Sequence, residues 1–476
     1  MSGRPVRQAR TLVVIAAALA VAASALTGCT SSPVHSSKPS IVFILTDDQR
    51  WDTLRGMPIV RRELAAHGVT FANAFVSDPL CCPSRATILT GQYAHSTGVW
   101  QNKGPYGGFK AFHQDKSTIA TWLRAAGYHT ALFGKYLNRY RGTYVPPGWE
   151  KWEAIAGAVD PYDLYYRYTM NIDGHLEKHG NRPEDYSTNV LADDTVDYIR
   201  HTPGSLFVYF APYTPHSPSR PAPEDKGRAS TISPPRAPSF NERDVSDKPN
   251  WVRNLPPITD ARRSRIDDAR TRADVSLLPV DRAVGRIVDA LAETGRLHNT
   301  LIVFMSDNGL LFGEHRFFNK AVPYEEAIRV PLVVRYDRLI TSPRVDRRLV
   351  VNVDIAPTFA AFAGVPAQGA EGASFLPLLS GGNPVWRTDF LVEHMNLLRV
   401  PSFCGVRSER FMYVHYATGE EELYDLENDP YELNNAIGRP ELANVLRGLR
   451  SREKELCNPP PPVTMTGGGS DDAGGE

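Results

Sequence analysis

The 476-residue chain has little cysteine and no excess of charge of either sign. Five cysteines are too few for a disulfide scaffold, and their odd number asks what each one is for. The 53 Lys and Arg residues balance 53 Asp and Glu, which excludes a nucleic-acid binder, since those carry a basic excess or a basic stripe. No internal repeat is present. The remaining composition, 42% hydrophobic, 10% aromatic and 22% charged, is ordinary for a globular protein and excludes a wholly disordered, collagenous or coiled-coil chain. Single cores stop growing at roughly 250–300 residues, so this length predicts one large domain and a smaller companion.

The N-terminus accounts for one cysteine. Arg4, Arg7 and Arg10 precede an uncharged Ala/Val-rich run from Thr11 to Leu26, the pattern of a signal peptide. The run ends in Leu26-Thr27-Gly28-Cys29, which resembles the lipobox of bacterial lipoproteins, where the signal is cut before the cysteine and the thiol is lipidated. The resemblance implies a signal over 1–28, a lipid on Cys29 and a flexible Ser-rich tether over 29–38. It places the protein outside the cytoplasm, lipid-anchored to the outer face of the cell membrane. Plain secretion and an uncleaved anchor helix are the alternatives. Cleavage removes three arginines and no acid, so the formal charge falls from 0 to −3.

From Pro39 the pattern is α/β. Continuous apolar runs of the kind buried on both faces of a parallel sheet occur at 41–45, 206–210, 301–305 and 330–334. Helical stretches lie between them, such as Ser117 to Ala126 and Asp274 to Thr294, each closed by a glycine. The alternation predicts a large, mostly parallel central sheet sandwiched by helices, with ligands bound beyond the carboxyl ends of the strands. Residues 212–259, dense in Pro, Ser, Arg and Asp, read as a surface excursion near the site, a lid or wall because it holds Phe240 and Trp251. Short strand-like pieces after about residue 385 and a helix from about Pro440 to Glu455 predict a C-terminal α+β subdomain over 386–457, after a catalytic domain over 39–385. Residues 458–476, with four consecutive prolines and then Gly/Ser/Asp, cannot build a core and read as a disordered tail.

Chemistry concentrates in a few motifs. Asp47-Asp48 and Asp307-Asn308 each follow directly after a buried strand, so two clusters of hard oxygen donors can converge on one ion. Three carboxylates and an amide, without thiolate or imidazole, favour Ca²⁺, with Mg²⁺ second, over Zn²⁺. Cys81-Cys82-Pro83-Ser84-Arg85, followed by Leu89-Thr90-Gly91, resembles the signature of the type I sulfatases of the alkaline phosphatase superfamily. In that signature a Cys with Pro at +2 and Arg at +4 is oxidised to formylglycine. Only Cys81 has that spacing, so Cys82 is its unmodified neighbour. The aldehyde hydrate supplies a hydroxyl that attacks sulfur and a second that later loses its proton to expel sulfate. Pro83 suits a first helical position, which would put the nucleophile at a helix N-terminus that favours anions.

The resemblance implies further roles. One Ca²⁺ would be held by Asp47, Asp48, Asp307, Asn308 and the formylglycine oxygen at 81. Lys135 in Gly134-Lys135-Tyr136-Leu137-Asn138, His216 in Pro215-His216-Ser217-Pro218, and Lys320 in the run from Gly313 would bind and polarise the sulfate, with Arg85 steadying the hydrate. His216 would protonate the leaving oxygen or hold the sulfate. The family's Gly-Lys-Trp-His-Leu histidine is absent, so Asn138 or His315 takes over proton removal, or the proton leaves by another route. The Gly-Lys-Tyr-Leu-Asn version, the double cysteine and Pro147-Gly148-Trp149 look like the N-acetylglucosamine-6-sulfatase branch, and Leu423-Tyr424-Asp425-Leu426 is typical of the sulfatase C-terminal region.

The expected function is therefore hydrolysis of sulfate monoesters of a sulfated sugar, after maturation by a formylglycine-generating enzyme. A broad arylsulfatase is the first alternative. A phosphonate or phosphate monoesterase is another, although such relatives carry Asp-His where this chain has Asp307-Asn308. A surface binding protein that kept the fold and lost catalysis is the non-enzyme alternative. The aromatic residues around Lys135, among them Tyr136, Tyr140 and Trp149, would stack on sugar rings or simply pack. Cys404 and Cys457, both in the small domain of an exported chain, form the candidate disulfide.

Overall fold

The computed structural model describes residues 38–160, 163–228 and 236–463, together with Met1 and Gly3. The signal, Cys29, the tether up to residue 37 and the tail from residue 464 lie outside the described residues. Ten strands form the main sheet: β1 (Ser40–Thr46), β2 (Gly68–Phe71), β3 (His129–Gly134), β4 (Lys151–Ala158), β5 (Tyr168–Ile172), β6 (His175–Lys178), β7 (Leu206–Ala211), β8 (Thr300–Ser306), β9 (Leu332–Arg335) and β10 (Arg344–Asp346). Their spatial order is β10-β2-β9-β8-β1-β7-β3-β4-β5-β6. The central five, β8-β1-β7-β3-β4, run parallel.

Alternation along these strands builds two cores. Ile41, Phe43 and Leu45 of β1 pack into one layer with helices α1 (Cys81–Thr90), α2 (Ile119–Ala125) and α5 (Ile355–Ala363). Val42 and Ile44 point the other way, into α3 (Ser187–His201) and α4 (Asp260–Glu293). The five residues of that run are fully buried, which is why it shows no polar alternation. The three-layer α/β/α architecture matches the expected fold class.

Two elements differ from the sequence reading. The 330–334 run becomes β9, which starts after Pro331 and pairs antiparallel with β8. No crossover helix returns the chain to the far end of the sheet, so it re-enters where β8 leaves. Helix α4 begins at Asp260 rather than Asp274, where the side chain of Thr259 accepts from Arg262 N at 3.3 Å. Its first half is rich in Arg and Asp, and Arg270 is buried there by pairs with Asp52 and Asp274 rather than by an apolar stripe.

Strands β11 (Asp389–His394), β12 (Phe403–Ser408), β13 (Phe411–Tyr416) and β14 (Glu421–Asp425) form a separate antiparallel sheet. Helix α6 (Ala443–Leu456) lays Leu446 and Leu449 against Val406, Tyr413 and Leu423 on one face of it. The other face packs Phe390, Met412, Val414 and Tyr424 against Trp251, Phe317 and Tyr324. A Cys404–Cys457 disulfide, with Cα atoms 6.3 Å apart, ties the end of α6 to β12.

Candidate active site

Four adjacent parallel strands deliver their carboxyl ends to one place. The β1–β8 register pairs Thr46 with Ser306, so the next residues, Asp47 and Asp307, emerge side by side. Strand β7 runs on into Tyr213 and His216. Strand β3 ends at Gly134, whose neighbour Lys135 donates its backbone N–H to Ala211 O at 2.7 Å. Gly134 has φ of 118°, and a Cβ there would lie 2.1 Å from Ala211 O, so only glycine lets the strand ends close on each other. Asp48 also takes a positive φ, 67°, a conformation that short polar side chains tolerate better than others.

Helix α1 supplies the fifth wall. Cys81 is its first residue. Pro83 is the third helical residue rather than the first; its missing N–H is still one that the helix would leave unbonded. All ten residues of α1 are buried. Asn102 Oδ1 accepts from Cys82 N at 2.9 Å, and Asn352 Nδ2 donates to Ser84 Oγ at 2.9 Å, fixing the helix start. Neither asparagine carries a sequence signal.

The predicted site residues converge. Cys81 Sγ lies 3.8 Å from Asp48 Oδ1 and 2.8 Å from Lys320 Nζ, and Lys320 also bonds Asp48. Lys135 Nζ sits 2.5 Å from Asp47 Oδ2. Arg85 donates Nε to Asp307 Oδ2 at 2.7 Å and Nη1 to Lys135 O at 2.9 Å, with Nη2 3.7 Å from Asp47. His216 Nε2 is 3.6 Å from Asp48 Oδ2, and its Nδ1 is 2.8 Å from Ser217 O. A carbonyl can only accept, so Nδ1 carries the proton and Nε2 faces the site. The His216 ring packs on Tyr213, 4.5 Å between centroids, and Lys135 Nζ lies over that tyrosine at 5.5 Å, a supporting contact the sequence did not reveal.

Burial sets the electrostatics. Desolvation raises the Asp47 carboxyl, but Lys135, His216 and Arg85 outweigh it and hold the group down at about 2. Desolvation pushes the Cys81 thiol well above the ordinary thiol range, despite Lys135 and Lys320 beside it. Burial also lowers His216, against the pull of Asp48 and Asp47. Burial alone would lower Lys320, yet Asp48 and the residue 81 sulfur keep it raised and charged.

The donor set fits a hard cation. Asp47 Oδ1 and Asn308 Oδ1 are buried oxygens with no hydrogen-bond partner, and Asp48, Asp47, Cys81 and His216 bring ligand atoms within 4.8 Å of one another. Orphaned buried acceptors are costly unless a cation takes them. Asn308 Nδ2 donates to Asp48 Oδ1 at 2.7 Å, and Asp48 N donates to Asp307 Oδ1 at 3.1 Å, so the four residues form one connected cluster.

Lys135, Asn138, His216 and Lys320 line a pocket together with Arg139 and Arg141. Asn138 Oδ1 is buried there without a partner. His315 is not among the residues that line this pocket: it is fully buried, and Nδ1 lies 2.7 Å from Glu242 Oε2. The expectation that it takes over the missing histidine's role is corrected by that placement. The aromatic residues near Lys135 mostly pack, with Tyr136 and Tyr140 set edge-on to Trp152.

Comparison with known proteins adds to this geometry. The Sulfatase family profile matches residues 39–365, and that of the N-sulphoglucosamine sulphohydrolase C-terminal region matches residues 313–458. The chain is 36% identical over 380 residues to N-acetylglucosamine-6-sulfatase of Homo sapiens, covering 75% of this chain and 67% of the relative. It is 35% identical over 381 residues to the extracellular sulfatase SULF-1 homolog of Drosophila melanogaster, covering 76% of this chain and 34% of that much longer protein. A solved structure of a protein in complex with its substrate D-glucosamine-2-N,6-O-disulfate superposes with a TM-score of 0.79 at 25% identity, covering 88% of this chain and 98% of the other.

Proposed function

The chain belongs to the sulfatase family, and from that premise we propose that it hydrolyses the 6-sulfate of glucosamine-type saccharides, using formylglycine made from Cys81 and one Ca²⁺. The observation that carries the reading is the pair of orphaned buried oxygens, Asp47 Oδ1 and Asn308 Oδ1, beside a buried residue 81 at a helix start. Asp47, Asp48, Asp307 and Asn308 would hold the ion together with residue 81. Bound there, Ca²⁺ supplies a Lewis acid for a sulfate oxygen, and the aldehyde hydrate supplies a nucleophilic oxygen. A thiol raised by burial is a poor nucleophile, so unmodified Cys81 would not serve as one.

The chain's own residues do the rest. Lys135 and Lys320 present buried ammonium groups to the sulfate, and Arg85 fixes Asp307 and Asp47 so that neither drifts from the cluster. His216 offers Nε2 to the leaving oxygen, oriented by its Nδ1–H on Ser217 O. The relatives' names and the glucosamine disulfate bound by the structural neighbour support a sulfated sugar substrate. The leader through Cys29 supports export and lipid attachment, which loss of lipid incorporation in Cys29→Ala would test. Maturation then requires a formylglycine-generating enzyme.

The main test is mass spectrometry of the tryptic peptide containing residue 81, paired with sulfate release from glucosamine-6-sulfate and nitrophenyl sulfate. An aldehyde at 81 and sulfate from the sugar are expected. An unmodified thiol in the native host with no release from either ester overturns the mechanism, and activity confined to the aryl ester overturns the substrate.

A further inference from the structure

His315 is 0% exposed and stacks on Tyr324, with centroids 4.1 Å apart. With the Nδ1 proton directed at Glu242 Oε2, Nε2 keeps its lone pair, and it meets no hydrogen-bond partner. Two other buried atoms share that condition, Glu326 Oε2 and Glu432 Oε1. His315, Glu326 and Glu432 offer ligand atoms that all lie within 4.8 Å of one another. Three unsatisfied acceptors gathered in a dry interior repel each other unless something positive sits between them.

The charge balance of the surroundings points the same way. Glu314 pairs with Arg50 at 2.6 Å, Glu325 with Arg407 at 2.7 Å and Glu242 with Lys248 at 3.2 Å. Glu422 takes the hydroxyls of Tyr324, Tyr416 and Tyr424 at 3.0, 2.6 and 2.5 Å. Among the described residues, Glu326 and Glu432 have no cation within ion-pair distance. Their other oxygens accept only from Ser239 Oγ at 3.5 Å and Glu325 N at 3.0 Å. Burial raises both carboxyls, Glu432 well above its ordinary range; ionised around a dication they would balance its charge, and the imidazole would complete the donors.

We propose that His315, Glu326 and Glu432 form a second metal site, structural in role, that binds a zinc-class divalent cation. An imidazole beside carboxylates selects this class over Ca²⁺ and Mg²⁺, which favour all-oxygen sets. A carboxylate on the far nitrogen, here Glu242, is the arrangement that orients a ligating imidazole. Bonds of about 2.1 Å at tetrahedral angles put donors about 3.4 Å apart, so the side chains close by up to about 1.4 Å to bind. The ion joins the loop after β8, the short helix Glu325–Ile328 and the turn after β14, and so clamps both ends of the segment that carries Lys320. The proposal does not depend on formylglycine or on the substrate.

The test is the metal content of the full-length protein by plasma mass spectrometry, after exposure to Zn²⁺ and exhaustive dialysis, with a Co²⁺ titration followed by its visible absorption. One retained Zn²⁺ per chain is expected. It should persist in an Asp47→Asn/Asp307→Asn variant and disappear in His315→Ala and in Glu432→Gln. Co²⁺ in the wild-type protein should give the intense spectrum of a low-coordinate imidazole–carboxylate site. No retained Zn²⁺ in the wild type overturns the proposal and leaves protons to balance the two carboxyls. Loss of Zn²⁺ in the Asp47→Asn/Asp307→Asn variant, or full retention in both other variants, also overturns it. A wild type without retained Zn²⁺ overturns the proposal even if a variant fails to fold.

Discussion

Replacing Lys320 by methionine should lower kcat on a sulfated glucosamine by about 10²–10³, with a smaller rise in KM. The substitution keeps the unbranched stem and removes only the ammonium group, which lies 2.8 Å from residue 81 Sγ and bonds Asp48. That ammonium is buried and stays charged, because Asp48 and its neighbours outweigh desolvation. Two unit charges about 4 Å apart interact by about 4 kcal/mol at an effective dielectric constant near 20. The sulfate ester already carries one negative charge when it binds, so part of this is ground-state attraction and appears in KM. The part in kcat comes from charge that builds in the transition state, where loss of one preorganised donor costs about 2.7–4 kcal/mol. The assay is steady-state kinetics normalised to the aldehyde content of residue 81, with thermal unfolding measured in parallel. If Lys320 merely neutralises Asp48, the melting temperature falls while kcat of the folded enzyme holds. A kcat within about tenfold of wild type, less than about 1.4 kcal/mol, would refute the reasoning.

Three further outcomes are expected. His216→Gln should cost about 10²–10⁴ in kcat on a sugar sulfate and much less on nitrophenyl sulfate, whose good leaving group needs no proton; equal losses on both esters would remove His216 from that role. Cys404→Ala/Cys457→Ala should destabilise the protein by about 4 kcal/mol in denaturant titrations, the loop-closure entropy for the 53-residue separation, and an unchanged midpoint would argue against it. Asp52 is raised by burial but held at about 2 by Arg50 and Arg270, below its ordinary 3.8. Its stabilisation is therefore present above about pH 4 and lost as pH falls through about 2, so Asp52→Asn should flatten that acid limb of the stability curve; an identical limb in both proteins would contradict the pairing.

The meeting of the Asp47-Asp48 and Asp307-Asn308 pairs was legible because they sit where two buried runs stop, and adjacent parallel strands bring such stops together. Nothing more than the runs and the fold class was needed to place Asp47 beside Asp307. Lys135 and His216 came from the motif resemblance alone; that their strands, β3 and β7, are the next two in the sheet is visible only in the structure. Residues 260–273 were not legible as helix, because Arg270 is buried by ion pairs with Asp52 and Asp274, leaving no apolar stripe to count. The roles of Asn102 and Asn352 were hidden for a related reason: each acts across the fold on α1, and no local pattern marks a side chain that bonds a distant one.

His315 and Lys320 show how far residue spacing carries. They are five positions apart in one motif, and the sequence reading placed Lys320 at the sulfate and offered His315 as one candidate for removing the nearby proton. Leu311–Phe312 and Phe318–Asn319 pair antiparallel, so the chain between them is a hairpin. Its turn is made by His315 and Arg316, with φ of 48° and 61°, the left-handed pair that a tight hairpin turn requires. The tip of a hairpin and the residue just past its base lie at opposite ends of it. Lys320, past the base, returns to Cys81 and Asp48, while His315, at the tip, is carried out to Glu242. The missing family histidine is therefore not replaced from this motif. Of the residues named for that proton, only Asn138 remains beside the pocket, with an oxygen that meets no partner, and an amide oxygen can hold a hydrogen bond but cannot take the proton away. On the proposed mechanism Asn138 would orient the hydrate, and the proton would leave through another group or through solvent.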